Sequence, residues 1–478
     1  MDRPGWTESI ENPYLHGIHA PVSEETTASD LLVEGELPAD LVGAHLRNGP
    51  NSVHAPRNQY HWFDGDGMVH GVYFRNGRAS YRSRWVRTAG LADEAARGES
   101  IWPGVMGPFD FAAPRYYLKD TANTDLVWHA GQVLALWYLC GEPYRLDPAT
   151  LETLGVDDFG GRRNATISAH PKRDERTGEL VWFSLAEFEP PFMTYGVLDE
   201  RGDLVHQIPV DLPGPRASHD ITLTEHHSIL HDFPLFHDVD VLREHGHRVS
   251  RFHRELPSRF GVVPRRGTSD EIYWFEFEPG YVLHMVNAWE EGDWIVMDGC
   301  FQPDPTIVRN PKEGDLASML GYLRIRAHLH RWRMNLVTGE TREEQLDDLN
   351  VEFCLPDTRL YGVKTRYSYH QHLPEDMYTV DFRALVKYDH EDGGCVRYDY
   401  EPGWCAGEST FAPRPDGEAE DDGYVINLAT HAGTHRSEAW VFDARAIEFG
   451  PIARVGLPVR VPSGFHAQWL PGERIWSA

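Results

Sequence analysis

Residues 271–301 read EIYWFEFEPGYVLHMVNAWEEGDWIVMDGCF and contain three strand-like segments in close succession. The segments are EIYWFEFE (271–278), YVLHMVNAW (281–289) and DWIVMDGCF (293–301), and each is rich in β-branched and aromatic residues. Such residues fit the pleated, partly buried surface of a sheet, and the Pro, Gly and Asp between the segments favour turns. This stretch therefore predicts consecutive short β-strands.

The same pattern recurs along the chain, whereas helical patterns are few. Further strand-like segments are QVLALWYL (132–139), ELVWFSLA (179–186), YVINLAT (424–430) and EAWVFDA (438–444). Helices are predicted near 91–99 and 315–325, and the charged stretch at 413–423 is interpreted as a surface loop. The chain of 478 residues has no linker-like break, which favours one large all-β unit. From the residues alone, a propeller with diverged blades and a pair of large β-sandwiches both stay open.

Composition limits the classes of binding partner and the cellular compartment that we expect. The formal net charge is −29, from 74 acidic and 45 basic residues, which argues against nucleic acid as a partner. The five cysteines are scattered without a CxxC pair, so neither a disulfide framework nor a thiolate zinc site is indicated. The N-terminus lacks an apolar signal-peptide core, and no apolar run reaches about 18 residues. We expect a cytoplasmic protein without a membrane span, with weak peripheral membrane contact left open.

Histidines are the candidate functional residues. The stretch HDITLTEHHSILHDFPLFHD (219–238) carries five of the 26 histidines in the chain, so number alone cannot select ligands. Four histidines stand out by context: His170 in SAHPKRD, His219 in SHDITLTE, His284 in LHMVNAWEE and His466 in VPSGFHAQWL. They lie 49, 65 and 182 residues apart, too far for one helix or hairpin. Each must therefore come from a different supersecondary unit.

These four contexts resemble the four iron-ligand motifs of the carotenoid cleavage oxygenase family, which includes lignostilbene dioxygenases and the retinoid isomerohydrolase. Six further segments resemble family signatures in the same order: HLRNGPN (45–51), YHWFDGDGMVHGVYF (60–74), KDTANTDLVWHAG (119–131), EPYRLDPATLETLG (142–155), RFGVVPRRG (259–267) and RVPSGFHAQW (460–469). The resemblance implies a single domain over 1–478, a seven-bladed β-propeller with a loop and helix cap over an iron on the propeller axis. It gives the iron ligands as His170, His219, His284 and His466.

Four neutral imidazoles suit Fe(II), because they leave two of six octahedral positions for dioxygen or substrate. Zinc is the competing metal. Within 219–238 the motif selects His219, whereas His231 falls at the position of a downstream strand. We interpret the neighbouring His226, His227 and His237 as exposed loop or helix-start residues. His431 and His435, in THAGTHRSEAW, are interpreted as loop residues.

The family supports its ligands with three glutamates, and this chain matches two of them. Glu352 in VEFCLPD and Glu408 in GESTFAP occupy the matching positions. The third position, in LALWYLCGE, is Tyr138, which brings no negative charge to the ligand it would orient, His219. Glu142 is the alternative partner if the loop shifts.

The resemblance implies cleavage of a conjugated C=C bond by O2 into two carbonyl products. The alkene supplies all the electrons that dioxygen needs, so no coenzyme is required. In agreement, the sequence has no GxGxxG after a strand, no GxxxxGK[ST] and no CxxCH. An isomerohydrolase that uses the same iron without O2, and a binding propeller without catalysis, are the other classes.

The substrate is expected to be a small apolar alkene. Lignostilbene dioxygenases hold a phenol with a Tyr and a Lys, and Trp137 stands at the position of that lysine. This favours an apocarotenoid, or a phenylpropenoid of the isoeugenol or 4-vinylguaiacol type, over a hydroxystilbene. The candidate tunnel residues are all aromatic: Phe63, Trp102, Phe109, Phe111 and Trp137.

Overall fold

The computed structural model describes residues 12–163, 165–375, 377 and 379–476. It confirms the all-β prediction: seven sheets stand around one axis as the blades of a propeller. The strands predicted from sequence are present, with small differences at their ends. For example, 132–139 forms Gln132–Leu136 and then leaves the sheet, so that Trp137 and Tyr138 lie in a turn.

Blades 1 to 4 are numbered along the chain and their strands are given from the axis outward. Blade 1 is Ala467–Pro471, Gly43–Arg47, Met68–Arg75, Arg78–Trp85 and Thr27–Ala28. Blade 2 is Asp125–His129, Gln132–Leu136, Tyr144–Leu146 and Thr153–Val156. Blade 3 is Lys172–Arg173, Leu180–Leu185, Met193–Leu198 and Leu204–Val210. Blade 4 is Thr222–Leu223, His227–Asp232, Ser258–Pro264 and Tyr273–Phe277.

Blades 5 to 7 complete the ring. Blade 5 is Tyr281–Glu291, Trp294–Gln302, His328–Asn335 and Thr341–Gln345. Blade 6 is Val351–Pro356, Tyr367–His372, Ala384–Asp389 and Gly394–Asp399. Blade 7 is Trp404–Ala406, Thr410–Pro413, Gly423–His431, Ser437–Asp443, Ala453–Gly456 and Val33–Gly35.

The stretch at 271–301 crosses from one blade to the next. Tyr273–Phe277 is the outermost strand of blade 4, and Tyr281–Glu291 and Trp294–Gln302 are the two innermost strands of blade 5. The hairpin pairs Glu291 with Trp294, and Gly292 turns the chain at φ 61°, which glycine adopts without strain. This outer-to-inner step is the connection that repeats around the ring.

The two ends of the chain close the ring together. The last strand, Ala467–Pro471, is the innermost strand of blade 1 and pairs antiparallel with Gly43–Arg47. Joining an early and a late segment of the chain in one sheet closes the ring. The core lies between the blades, where large side chains meet face to face, as Phe260 of blade 4 meets Trp332 of blade 5 at 5.3 Å between ring centroids.

Short helices and a hairpin form a cap on one side of the ring. The cap includes Trp62–Asp64, the hairpin Leu235–His237 and Ser250–Phe252 with the helix Val239–His245, and the helical turns Pro311–Leu316 and Ala317–Gly321. The helices predicted near 91–99 and 315–325 are found as Ala89–Arg97 and Ala317–Gly321. The remaining helical segments are Pro13–Leu15, Gly17–His19, Ser269–Glu271, Thr358–Leu360, Ile447–Phe449 and Gly472–Ile475. Within the described residues, the helices are all too short or too polar to cross a membrane.

Candidate metal centre

The four histidines selected from the sequence meet at the propeller axis, and each comes from a different blade. His170, His219 and His466 lie just ahead of the innermost strands of blades 3, 4 and 1, which begin at Lys172, Thr222 and Ala467. His284 lies within Tyr281–Glu291 of blade 5, where the register shifts between Val282 and Met285. A shift of this kind re-aims a side chain out of the regular alternation, and here it allows His284 to face the axis.

The imidazoles are close enough to share one ion. One nitrogen from each of the four rings lies within 4.8 Å of the others. The Nε2 atoms of His170 and His219 are 3.1 Å apart, and the rings of His170 and His466 have centroids 4.3 Å apart. His170 adopts φ 64°, a strained conformation for a residue with a Cβ, which is typical of functional positions.

Three of the four rings are held from behind by carboxylates, of which Glu352 and Glu408 are buried and Asp125 is partly buried. Nδ1–H of His170 donates to Asp125 at 3.0 Å. In the same way His466 donates to Glu408 at 2.9 Å, and His284 donates to Glu352. Donation from Nδ1 fixes the tautomer in which the Nε2 lone pair is free to face the axis.

The carboxylates are themselves fixed by backbone amides. Glu408 accepts a hydrogen bond from the amide of Ala467 at 2.6 Å, and Glu352 accepts one from the amide of Phe353 at 2.6 Å. Phe353 has φ 52° at a register shift of its strand, and its ring stacks on that of His466 at 4.8 Å between centroids. One irregular strand of blade 6 thus supports two of the four histidines.

Burial and charge at the centre favour a bound cation. Burial raises the pKa of Glu352 to about 8 and raises the pKa values of Asp125 and Glu408. Burial also lowers the pKa of His284 well below its ordinary value. A positive ion at the axis would stabilise the buried carboxylates while neutral imidazoles bind it.

The pKa values of His170 and His219 are lowered like that of His284, whereas the pKa of His466 is raised. Burial, followed by the charge of neighbouring histidines, lowers the pKa values of His170 and His219 well below the ordinary range. Burial also opposes protonation of His466, but Glu408 outweighs it and the pKa of His466 is raised. In addition, Nε2 of His284 is buried and has no hydrogen-bond partner within the described part of the chain. An unpaired buried nitrogen is costly unless it binds something, and a metal ion would satisfy it.

His219 differs from the other three because no described carboxylate supports it. Its neighbour is Tyr138, whose ring centroid lies 6.2 Å away with the rings tilted by 52°. Glu142, the alternative, pairs with Arg163 instead. His170, His284 and His466 are buried, but His219 keeps part of its surface open to a cavity.

The other histidines of 219–238 have ordinary partners. His231 lies in the strand His227–Asp232, as expected, and its Nε2 donates to the backbone carbonyl of Asp220. His226 is exposed and pairs with Glu290. The expectation of loop or helix-start positions is wrong for His227 and His237, which lie at the ends of the short strands His227–Asp232 and Leu235–His237.

Of the two later histidines, one differs from the expectation. His431 is the last residue of the strand Gly423–His431 rather than a loop residue, and its Nδ1 accepts hydrogen bonds from the amides of Gly433 and Thr434. His435 lies in the turn that follows, at φ 58°. The charged stretch at 413–423 forms a largely exposed loop ahead of that strand, as expected.

An apolar cavity of about 200 Å³ opens between the cap and the exposed face of the centre. His219, His284 and His466 form its floor. The wall is mostly aromatic and aliphatic: Trp62, Phe63, Tyr138, Leu139, Leu185, Leu235, Tyr281, Leu283, Ile307, Tyr322, Leu323, Ile325, Phe353, Val380 and Phe465. Such a cavity suits a hydrophobic molecule whose reacting bond lies next to the metal position.

Among the five aromatic residues proposed from the sequence, Phe63 lines this cavity, beside Tyr138 at 4.9 Å between ring centroids. The described lining does not include the other four. Phe109 and Trp137 are buried in a neighbouring aromatic cluster, and Trp102 is buried with its indole N–H donating to a backbone carbonyl. Phe111 is 47% exposed.

Sequence reasoning missed several residues that the structure brings to the site. Asp125 lies in the segment KDTANTDLVWHAG, but its role depends on its place at the inner edge of blade 2. Phe353 directly follows Glu352 in sequence, and Phe465 directly precedes His466. Adjacency to a motif was therefore an available signal for both. Tyr281 and Tyr322 carry no comparable signal.

A propeller that gathers four imidazoles on its axis, beneath an apolar cavity, defines a class of proteins able to bind one metal ion next to a hydrophobic ligand. The chain belongs to the family described as retinal pigment epithelial membrane protein, RPE65, which matches residues 19–471. This is the carotenoid cleavage oxygenase family indicated by the four histidine motifs.

Relatives and solved structures agree with this placement. The chain is 35% identical to a carotenoid 9,10(9',10')-cleavage dioxygenase of Crocus sativus, over 97% of this chain and 90% of that protein. It is 31% identical to an isoeugenol monooxygenase of Pseudomonas nitroreducens, over 96% of this chain and 98% of that protein. The crystal structure of a lignostilbene dioxygenase of Pseudomonas brassicacearum superimposes with a TM-score of 0.85 and 30% identity, covering 96% of this chain and 98% of that one. These comparisons support an oxygenase.

Proposed function

We propose that the protein is a non-haem Fe(II) oxygenase that cleaves a conjugated C=C bond with O2 into aldehyde or ketone products. The observation that carries the proposal is the convergence of four imidazoles within reach of one ion, three of which form the floor of an apolar cavity. The substrate is an apocarotenoid or a phenylpropenoid of the isoeugenol or 4-vinylguaiacol type. O2 and this alkene are the two partners of the site.

The donor set fits a divalent first-row metal ion. Two ligands at right angles, each bonded at about 2.1 Å, have nitrogens about 3 Å apart. His170 and His219 have nitrogens 3.1 Å apart, and Nε2 of His284 is otherwise unsatisfied among the described atoms. Four neutral nitrogen ligands favour iron over a closed tetrahedral zinc site, because the reaction requires free coordination positions. Fe(II), when bound, supplies the capacity to bind and activate dioxygen.

The residues of the chain orient the ligands and exclude water. The carboxylates of Asp125, Glu352 and Glu408 hold three imidazoles in one orientation, which keeps the donor nitrogens preorganised. On the cavity side, Phe353 stacks on His466 and Phe63 packs on Tyr138. These rings present flat apolar surfaces against which a conjugated alkene can lie, with its double bond close to the metal position.

The cavity favours an apolar substrate over a charged one. Arg216 is the cationic residue of the described lining, and its guanidinium is already paired with Asp232 at 2.5 Å. No lysine lies in the described lining, so a phenolate would find no free ammonium group there. We therefore expect resveratrol to be a poorer substrate than an apocarotenal or a phenylpropenoid.

The reaction needs no coenzyme because its electrons balance. One molecule of O2 and one C=C bond give two C=O groups, so the alkene provides all the electrons. The purified Fe(II) protein should be incubated with an apocarotenal, isoeugenol, 4-vinylguaiacol and resveratrol without NAD(P)H, flavin or 2-oxoglutarate. Aldehyde products with matching oxygen uptake support the proposal. Product formation without oxygen uptake would move the protein to the isomerohydrolase class, and binding without turnover would make it a binding propeller.

A further inference from the structure

A second cluster of side chains able to bind a metal lies between blades 5 and 6, and one of them, Cys354, borders the same small space as three of the four histidines. The cluster consists of Cys300 in Trp294–Gln302, Cys354 in Val351–Pro356 and His370 in Tyr367–His372. One donor atom from each residue lies within 4.8 Å of the other two, and Sγ of Cys300 is 3.7 Å from Nδ1 of His370. All three side chains are buried.

A chain of hydrogen bonds runs outward from the imidazole of His370. Nε2 of His370 and Nε2 of His390 each lie 2.8 Å from the hydroxyl oxygen of Ser368. Nδ1 of His390 lies 3.3 Å from a carboxylate oxygen of Asp298. Arg331 holds that carboxylate through two hydrogen bonds at 2.7 and 2.8 Å.

The carboxylate at the end of this chain sets the direction of every hydrogen bond. Asp298 can only accept, so Nδ1 of His390 carries the proton and Nε2 of His390 accepts from Ser368. Ser368 must then accept from Nε2–H of His370, which leaves the Nδ1 lone pair of His370 facing Cys300. The same kind of support fixes metal-binding histidines in general. His370 is therefore held in the tautomer of a ligand.

We propose that Cys300, Cys354 and His370 form a binding site for a thiophilic divalent cation of the Zn2+ type, distinct from the four-histidine centre. Two thiolates, one neutral imidazole and a divalent ion together have no net charge. That neutrality suits the packed apolar side chains, such as Val286, Leu329 and Val386, and the carboxyl of Glu352 is the nearby charged group that acts on both thiols. Soft sulfur ligands disfavour the hard cations Mg2+ and Ca2+, and a monovalent ion would leave a net charge buried.

Binding at this site must displace protons. Burial raises the pKa of Cys300 well above its ordinary value and raises the pKa of Cys354, so both are thiols near neutral pH. Each metal ion bound as M(SR)2 therefore releases two thiol protons, and the apparent affinity rises with pH. Cys354 also borders a small space of about 60 Å³, which His170, His284 and His466 border as well.

Cadmium titration of the iron-loaded protein tests the site, with Cd2+ as the probe. The titration is followed by the ultraviolet charge-transfer band of cadmium–thiolate bonds and by proton release in weak buffer. All proteins carry Cys395→Ser, because Cys395 is exposed and would bind Cd2+ by itself. The parent should bind one ion with the band and release two protons. Cys300→Ser and Cys354→Ser should each lose the two-thiolate band.

Matched control variants distinguish cadmium binding at this cluster from cadmium binding by other side chains. Cys405→Ser changes a buried thiol outside the cluster, and His466→Ala removes a ligand of the four-histidine centre; both should keep the band. His370→Gln keeps both thiols and should weaken cadmium binding at least tenfold, which covers the case in which a serine variant fails to fold. Absence of the band in the parent, or an unchanged band in Cys300→Ser or Cys354→Ser, would overturn the proposal.

Discussion

The candidate metal centre has two unlike sides. On the carboxylate-supported side, His170, His284 and His466 are buried and each donates to a carboxylate, although His284 and His466 also border the cavity. On the cavity side, His219 is partly open and has the phenol ring of Tyr138 as its neighbour. The difference shows how one centre can combine a rigid, negatively charged support with a neutral surface against which an apolar substrate can lie.

The largest effect should come from removing a ligand on the supported side. His466→Ala should lower iron content from about one per chain to a small fraction and abolish alkene cleavage, because the ring occupies a donor position at the axis. The control is His226→Ala, an exposed histidine from the same histidine-rich part of the chain. Metal analysis and product assays measure both. Full activity in His466→Ala would show that the centre is elsewhere.

Neutralising a supporting carboxylate should have the next largest effect. Glu352→Gln, Glu408→Gln and Asp125→Asn should each reduce activity about tenfold to a hundredfold, because the imidazole loses its charged anchor. Tyr138→Phe should reduce activity less, since Tyr138 makes no charged contact with His219. If Tyr138→Phe is inactive and the three amide variants behave as wild type, Tyr138 rather than the carboxylates is the important support of the imidazoles.

A substitution in the cavity wall should have a smaller effect on activity. Phe63→Ala removes an aromatic ring that packs on Tyr138, and kcat/KM should fall roughly fivefold to thirtyfold, as expected for the loss of about 1–2 kcal/mol of aromatic contact. Phe111→Ala is the control, because Phe111 is 47% exposed and lies outside the described lining. Steady-state kinetics on one substrate compare them. Equal losses in both variants would argue against this cavity as the substrate site.

The smallest effect concerns stability, and it extends the comparison to histidines away from the metal. Burial, with a contribution from Arg47, lowers the pKa of His45 to about 3. The unfolded chain therefore binds the proton first, and the folded state loses stability as pH falls through about 6.5. Between pH 7.5 and 5.5 the wild type should lose about 1.4 kcal/mol more than His45→Gln.

The contribution of His226 to stability has the opposite pH dependence. Glu290 raises the pKa of this exposed imidazole, so its contribution is present below about 6.5 and is lost as pH rises through the folded pKa. Denaturant unfolding at several pH values measures the free energy of unfolding of wild type, His45→Gln and His226→Ala. A His45→Gln protein with the same pH dependence as wild type would show that burial does not control this imidazole.

Much of this arrangement could be predicted from sequence because the ligands carry local signatures. His219 and His231 are both followed by Asp, yet the residues beyond them differ, and only His219 meets the axis. Asp125 could not be predicted in its role, since it depends on which strand end faces the axis. The tunnel aromatics Trp102, Phe109 and Trp137 fall outside the described lining because the path of the cap decides which rings face the cavity.

The cysteines show the limit of spacing arguments. The sequence has no CxxC pair and therefore does not indicate a thiolate metal site. Cys300 and Cys354 come from different blades, and the register shift in Val351–Pro356 between Glu352 and Leu355 brings Cys354 to the blade interface. Pairing across blades is not visible as a local motif.

The most direct test of the central claim is oxygen consumption by the Fe(II) protein with one conjugated alkene as the sole added substrate. Isoeugenol and an apocarotenal should be tested separately, with wild type and His466→Ala side by side. The account predicts one O2 consumed for each alkene cleaved, two carbonyl products, and neither in His466→Ala. Wild-type protein that retains one iron per chain but consumes no oxygen with any alkene of the panel would contradict it.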